Sequence, residues 1–170
     1  MDLKAFVRDV PGFPQPGILF RDITPLLGDG AAFSAVIDAL EADVKARGAE
    51  AIVGIESRGF LFGGPLADRM SLPFVPVRKP GKLPSKTIKC TYDLEYGTDS
   101  LEVHDDAFTK GQRVLVVDDV IATGGTARAA GDLARQLGAT VAAYAFLVEL
   151  GFLNGRAKLG GAEVLSLIRY

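Results

Sequence analysis

Between Val114 and Thr126 the chain reads Val-Leu-Val-Val-Asp-Asp-Val-Ile-Ala-Thr-Gly-Gly-Thr, and few folds accommodate that order. Four β-favouring apolar residues open it, as in a strand buried on both faces. Two acids follow, then a short turn containing Gly124 and Gly125, and the pattern from Ala127 to Leu137 is helical. A buried strand running through acids and glycines into a helix belongs to a parallel α/β sheet. It places its polar groups at the carboxyl end, where such sheets bind ligands.

The residue types limit the ligand. Gly124 and Gly125 let the backbone approach a bound group closely, and Thr123 and Thr126 add hydroxyl donors. Behind them the helix turns its unpaired N–H groups and positive dipole end towards the turn, an arrangement suited to a phosphate monoester. Asp118 and Asp119 are poor partners for phosphate but good acceptors for sugar hydroxyls, and Asp118 can also help to hold Mg²⁺. Hydroxyls at one end and phosphate at the other describe a ribose 5-phosphate. The plainer alternative is a tight connection with an N-cap and a solvated charge.

Earlier in the chain the same pattern occurs. Ala51-Ile-Val-Gly-Ile55 is a second buried strand, followed by Glu56-Ser-Arg-Gly-Phe60 and a Gly-rich helical stretch through Met70. Arg58, beside Ser57 and Gly59, has the planar guanidinium that grips phosphate oxygens in pairs; its alternative is a surface ion pair with Glu56. A third strand, Leu72 to Val77, leads into Arg78-Lys-Pro-Gly-Lys-Leu-Pro84, with three cations in five residues. Thr87–Tyr96 and Asp99–His104 form two extended arms meeting at Gly97, and Thr140–Val148 and Glu163–Ile168 are further strands. Phe33, Val36, Ile37, Leu40 and Val44 give the segment from Ala31 to Arg47 one apolar stripe, and Gly48 ends that helix. Residues 1–10 have helical spacing; from Val10 to Pro25 the prolines favour a stiff, extended path. Glu149 to Leu159 turns into a short helix.

Composition excludes several function classes. A net charge of −2 over 170 residues offers no basic field for nucleic acid. The N-terminus, Met-Asp-Leu-Lys-Ala-Phe, has no apolar core of signal-peptide length, and the longest apolar runs fall far below a membrane span. The single cysteine, Cys90, precludes an internal disulfide and fits a reducing, cytoplasmic compartment. His104, the lone histidine, reads as structural or exposed. No G-x-x-x-x-G-K-[ST] triphosphate loop occurs. A phosphoacceptor receiver domain would carry its acid pair near the N-terminus, without the Thr-Gly-Gly-Thr.

Val-Val-Asp-Asp-Val-Ile-Ala-Thr-Gly-Gly-Thr closely resembles the phosphoribosyl pyrophosphate signature of the type I phosphoribosyltransferases. Three other stretches resemble the branch of that family that acts on adenine: Phe13-Pro-x-Pro-Gly-Ile-x-Phe-Arg-Asp-Ile23, Arg78-Lys-x-Gly-Lys-Leu-Pro84 and Leu94-Glu-Tyr-Gly97. The resemblance implies a single domain over residues 1–170, with a mostly parallel central sheet flanked by helices. It also implies an N-terminal hood (1–25) and a basic loop with a β-hairpin flap (78–104). It implies transfer of 5-phosphoribosyl from phosphoribosyl pyrophosphate to adenine, giving AMP and pyrophosphate, in a Mg²⁺-dependent homodimer.

By the same resemblance, Ala122, Thr123, Gly124, Gly125 and Thr126 hold the phosphate, and Asp118 and Asp119 the ribose hydroxyls. Ser57, Arg58, Arg78, Lys79 and Lys82 face the pyrophosphate, with Arg58 also assisting catalysis. Leu19, Phe20 and Arg21 lie near the base. On the flap, Glu95 exchanges a proton with the purine and Tyr96 packs on the ligands. Magnesium is expected on pyrophosphate and ribose oxygens rather than in a protein cage. Two rivals remain: transfer to another purine base, and a non-catalytic nucleotide sensor of the same fold. The flap and basic loop speak against the sensor, which needs neither.

Overall fold

The computed structural model describes residues 1–94 and 96–170. The chain divides into two compact units, Met1–Ala39 and Leu40–Tyr170.

In the first unit, the helix expected over residues 1–10 is only a 3-10 turn at Leu3–Phe6. The chain then extends into β1 (Arg8–Pro11), paired antiparallel with β2 (Leu19–Asp22) in the register Val10↔Phe20. Val7 and Val10 are β-branched and Pro11 cannot continue a helix, so the strand pairing prevails over helical spacing. Pro25 sits at the first positions of a short helix, α1 (Thr24–Leu27), where the missing N–H costs nothing. The Asp29 carboxylate accepts a hydrogen bond from the Ala32 N–H at 2.8 Å, capping the next helix, α2 (Gly30–Arg47), which crosses the boundary between units.

The second unit is built on five parallel strands. In chain order these are β3 (Ala51–Ile55), β4 (Phe74–Val77), then, after the antiparallel hairpin of β5 (Thr87–Asp93) and β6 (Thr98–His104), β7 (Arg113–Ile121), β8 (Thr140–Glu149) and β9 (Val164–Arg169). Spatially they run β4-β3-β7-β8-β9. Helix α3 (Gly59–Met70) connects β3 to β4, and α4 (Gly125–Gln136) connects β7 to β8. The order reverses between β3 and β7, so loops leave that point in opposite directions and open a crevice at the carboxyl edge.

Alternation along the strands places the two helices. Ala51, Val53 and Ile55 join Val114, Val116, Tyr144 and Phe146 under Ala127, Ala130, Leu133 and Ala134 of α4. Leu101 and Val103 of β6 complete that core, so the hairpin is seated on the same apolar layer. Gly54 and Gly63 meet around Phe74 under α3. Burial of each large apolar side chain here contributes about 1.5–3 kcal/mol, which keeps the carboxyl edge rigid.

Two expected boundaries move. β7 runs through both acids to Ile121, because β8 offers backbone partners opposite Asp118 and Val120. Between Glu149 and Leu159 the short helix is replaced by two 3-10 turns, Gly151–Leu153 and Gly155–Leu159, broken by Asn154 in the left-handed region.

Candidate active site

The crevice between β3 and β7 gathers most of the polar residues singled out above. The register Gly54↔Val117 brings the Glu56–Arg58 loop beside Asp118 and Asp119. Arg58 Nε lies 2.8 Å from Asp119 Oδ2, and Glu56 is ion-paired with Arg78. Gly59 allows this proximity, since a Cβ there would fall 2.7 Å from the Val117 carbonyl oxygen and 3.1 Å from Asp118 Oδ1.

The acid pair is held in an uneasy state. Asp119 is 4% exposed, and its Oδ2 accepts no hydrogen bond among the described residues, the Arg58 contact being poorly aligned for one. Asp118 Oδ1 accepts from the Asp119 N–H at 2.9 Å. Burial raises the Asp118 pKa well above the usual carboxylate range, and the neighbouring Asp119 charge raises it further. Asp119 is also raised by burial, with Arg58 opposing. The Arg58 guanidinium offsets this buried charge through the ion pair rather than through an aligned hydrogen bond.

Beyond the strand, Ala122–Gly124 curls into α4. Gly124 has φ +83°, and no side chain caps the helix, so its first N–H groups face the turn. A Cβ on Gly124 would lie 2.3 Å from the Gly155 carbonyl oxygen, and one on Gly155 would lie 2.4 Å from the Ala122 oxygen. The two backbones are in contact, so the turn after β8 fixes the shape of this loop. Thr123 is exposed, and Thr126 meets the Tyr92 hydroxyl at 3.2 Å.

In the basic loop, Arg78 is ion-paired with Glu56 and Lys79 with Asp99; Lys82 is exposed, its carbonyl accepting from Arg78 Nη1 at 3.3 Å. Two of the three cations expected to balance an anion are therefore already matched with carboxylates. Of the ribose, phosphate and pyrophosphate residues, all lie in the second unit. Leu19, Phe20 and Arg21 lie in the first: Leu19 is exposed, Phe20 meets the Phe13 ring edge-on at 5.1 Å, and Arg21 pairs with Asp9. On the hairpin, Tyr96 is 86% exposed, and Glu95 lies outside the described residues. His104 accepts from the Ser85 N–H at 3.4 Å, and Cys90 is half-buried, its thiol pushed up by burial. Sequence reasoning missed Tyr92, Asp99 and the backing role of Gly155. For Tyr92 the signal was there, since Ile88, Cys90 and Tyr92 alternate onto the core face.

The Gly155 turn has its own anchor. Glu149, 3% exposed, accepts from Arg156 Nε at 2.8 Å and Nη2 at 2.6 Å, and from the Ser166 hydroxyl. The Arg156 hydrogen bonds, against the opposing effect of burial and with help from Ser166, lower the Glu149 pKa from 4.5 to about 2. A depressed carboxyl stabilises the fold fully above its unfolded pKa, and that contribution disappears as pH falls towards the folded value. Melting followed between pH 5 and 2 should show a flatter acid limb in Glu149→Gln than in the parent protein.

No group of three or more metal-ligating side chains occurs among the described residues, nor is any helix among them long and apolar enough to cross a membrane. Residues 27–158 match the family model described as phosphoribosyl transferase domain. The chain is 56% identical over 171 residues to an adenine phosphoribosyltransferase of Gloeobacter violaceus, covering all of both chains. It superimposes on the adenine phosphoribosyltransferase of Thermoanaerobacter pseudethanolicus with a TM-score of 0.96 and 51% identity, over 99% of this chain and 98% of that one. The Trypanosoma brucei adenine phosphoribosyltransferase, solved with AMP, pyrophosphate and ribose-5-phosphate, matches at 28% identity and TM-score 0.90, covering 98% and 78%.

Proposed function

The chain belongs to the adenine phosphoribosyltransferases of the phosphoribosyl transferase family, and from that membership we infer that it transfers 5-phosphoribosyl from phosphoribosyl pyrophosphate to adenine. The products are AMP and pyrophosphate, a purine-salvage reaction. The observation that carries this reading is the pairing of the buried acid pair Asp118–Asp119, ion-paired with Arg58, with the uncapped start of α4. One end calls for a hydroxyl donor and the other for an anion.

In the reaction, adenine N9 attacks the anomeric carbon, the C–N bond forms, the C–O bond to pyrophosphate breaks, and N9 gives up its proton. Positive charge builds on the ribose. Asp118 and Asp119, drawn into ionised form by the hydroxyls they accept from, are placed to stabilise it. Negative charge grows on the departing pyrophosphate, near Ser57 and Arg58, with Arg78, Lys79 and Lys82 in the basic loop. Arg58 contacts Asp119, and we assign it a role at the reacting bond as well. The phosphate is taken by the backbone of Ala122–Gly125 with the Thr123 and Thr126 hydroxyls. Glu95 is proposed to receive the N9 proton, with Tyr96 covering the ligands and excluding water. Leu19, Phe20 and Arg21 are proposed to contact the base.

We propose Mg²⁺ as the cofactor: pyrophosphate and ribose oxygens would supply its hard ligands, and the Asp118 carboxylate could assist. Bound there, it would neutralise part of the pyrophosphate charge. We extend the reading to a cytoplasmic homodimer. The lone thiol supports a reducing compartment, and the resemblance of the 78–84 loop to one shared across a dimer interface supports the paired chain.

The test is to mix the protein, Mg²⁺ and phosphoribosyl pyrophosphate with adenine, guanine, hypoxanthine and xanthine separately, and follow pyrophosphate release. Release with adenine at least about 100-fold faster than with the others is expected, as a site built around hydrogen bonds discriminates that strongly. Faster release with another base would reassign the substrate, and no release with any base would favour the sensor.

A further inference from the structure

Thr126, at the start of α4, is joined to the basic loop by a short run of polar contacts through the hairpin. Its hydroxyl lies 3.2 Å from the Tyr92 hydroxyl, which also lies within donating distance of Asp99 Oδ2 at 3.3 Å. Asp99 is held in turn by the ion pair with Lys79 and by the Ser100 N–H at 2.8 Å. The Tyr92 ring is laid against the loop: a Cβ on Gly125 would be only 3.4 Å from Tyr92 Cδ2. The ring therefore fixes the position of the hydroxyl, and the ion pair fixes the acceptor beyond it.

A phenol carries one proton and cannot donate it to both neighbours. When it points to Asp99, the charged acceptor, the Tyr92 oxygen is left to accept from Thr126, and the threonine proton is turned away from the loop. When it points to Thr126, the threonine oxygen accepts, and its own proton is free to serve an anion in the loop. We propose that Tyr92 is a positioning residue for the phosphate: its hydroxyl aims the Thr126 proton at the bound phosphate, and Asp99 competes for it. This rests on the phosphate reading of residues 122–126. It adds a group on the hairpin, outside the loop, that sets affinity at the phosphate end.

AMP is the probe, because it carries the phosphate but no pyrophosphate; Lys79 also hydrogen-bonds Tyr92 and is released when Asp99 is changed, so the Asp99→Asn arm is run in a Lys79→Met background as well. Binding is measured by titration calorimetry to the full chain. Tyr92→Phe keeps the ring on Gly125 and loses only the hydroxyl; AMP should bind about three- to tenfold more weakly, the scale of one neutral hydrogen bond, since Thr126 keeps its own proton but loses the donor that orients it. Asp99→Asn weakens the competing acceptor and should shift AMP binding the other way, about two- to threefold tighter. In steady-state assays Tyr92→Phe should raise KM for phosphoribosyl pyrophosphate while leaving KM for adenine unchanged. A cycle of Tyr92→Phe with Thr126→Val should be non-additive.

Unchanged AMP affinity in Tyr92→Phe, additive effects in the cycle, or weaker AMP binding in Asp99→Asn would each overturn the proposal. If Tyr92→Phe melts well below the parent, the Asp99→Asn result decides, because its predicted direction is opposite to that of a damaged fold. Failure of the unmodified protein to bind AMP would count against the proposed function, separately from this inference.

Discussion

Replacing both Asp118 and Asp119 by asparagine should lower kcat/KM by about 10²–10⁴-fold while raising the melting temperature of the ligand-free protein near neutral pH. The activity loss would follow from removing the two charged acceptors proposed to face the developing positive charge, each worth about 1.5–3 kcal/mol as a hydrogen-bond partner. The gain in stability follows from the raised pKa of both acids. A carboxyl raised above its unfolded value of 3.8 holds more protons folded than unfolded, so stability falls as pH rises from 3.8 towards the folded pKa. Above that window the folded state retains the full cost of two crowded, buried charges. Asparagine carries no such cost, and Arg58, which is half exposed, can turn to water. Calorimetric melts across pH 4–8, with turnover assays on the same samples, check both halves. A variant that lost activity and stability together would show that the acids hold the fold rather than the sugar.

Gly124→Ala should cost about 2–4 kcal/mol of stability and weaken phosphoribosyl pyrophosphate binding by at least about 100-fold. Two effects add. The residue sits at φ +83°, where a side chain is strained, and its new methyl would fall 2.3 Å from the Gly155 carbonyl oxygen. That neighbour is backbone, tied down through Arg156 and Glu149, so it cannot give way as a flexible side-chain tip would. Relief must come from the loop itself, which is the part that would hold phosphate. Gly125→Ala is the control: its Cβ would reach only to 3.4 Å from the Tyr92 ring, at an ordinary negative φ. Denaturant melts and titration with phosphoribosyl pyrophosphate should separate the two sharply. Equal behaviour would mean that the contact with Gly155 does not shape the loop.

Much of this was legible from residue order. The buried strand, acid pair, glycine turn and helix from Val114 onward follow from chemistry that is local in the chain, and the parallel sheet follows from repeating that unit. What escaped depended on partners distant in sequence. Residues 1–10 carry helical spacing, yet β2 gives Arg8–Pro11 a strand partner that no local pattern announces. Arg58 and Arg78 each had an acid nearby in sequence or space, and only the fold decides that Glu56 goes to Arg78 and Asp119 to Arg58. Asp99 read only as the start of an extended arm, and the hairpin is what lays it against Lys79. Gly155 was similarly opaque, because its role is to carry no side chain where Ala122 passes.

The contact of Gly59 with the Val117 oxygen has a consequence for ligand design. It holds the start of α3 close to the strand bearing the acids, so the seats proposed for sugar and leaving group would sit on adjacent strands about 4.8 Å apart. The crevice acts as a gauge of fixed length. A non-hydrolysable mimic that preserves that span can fill both seats, whereas one stretched by a single methylene must lift one end out.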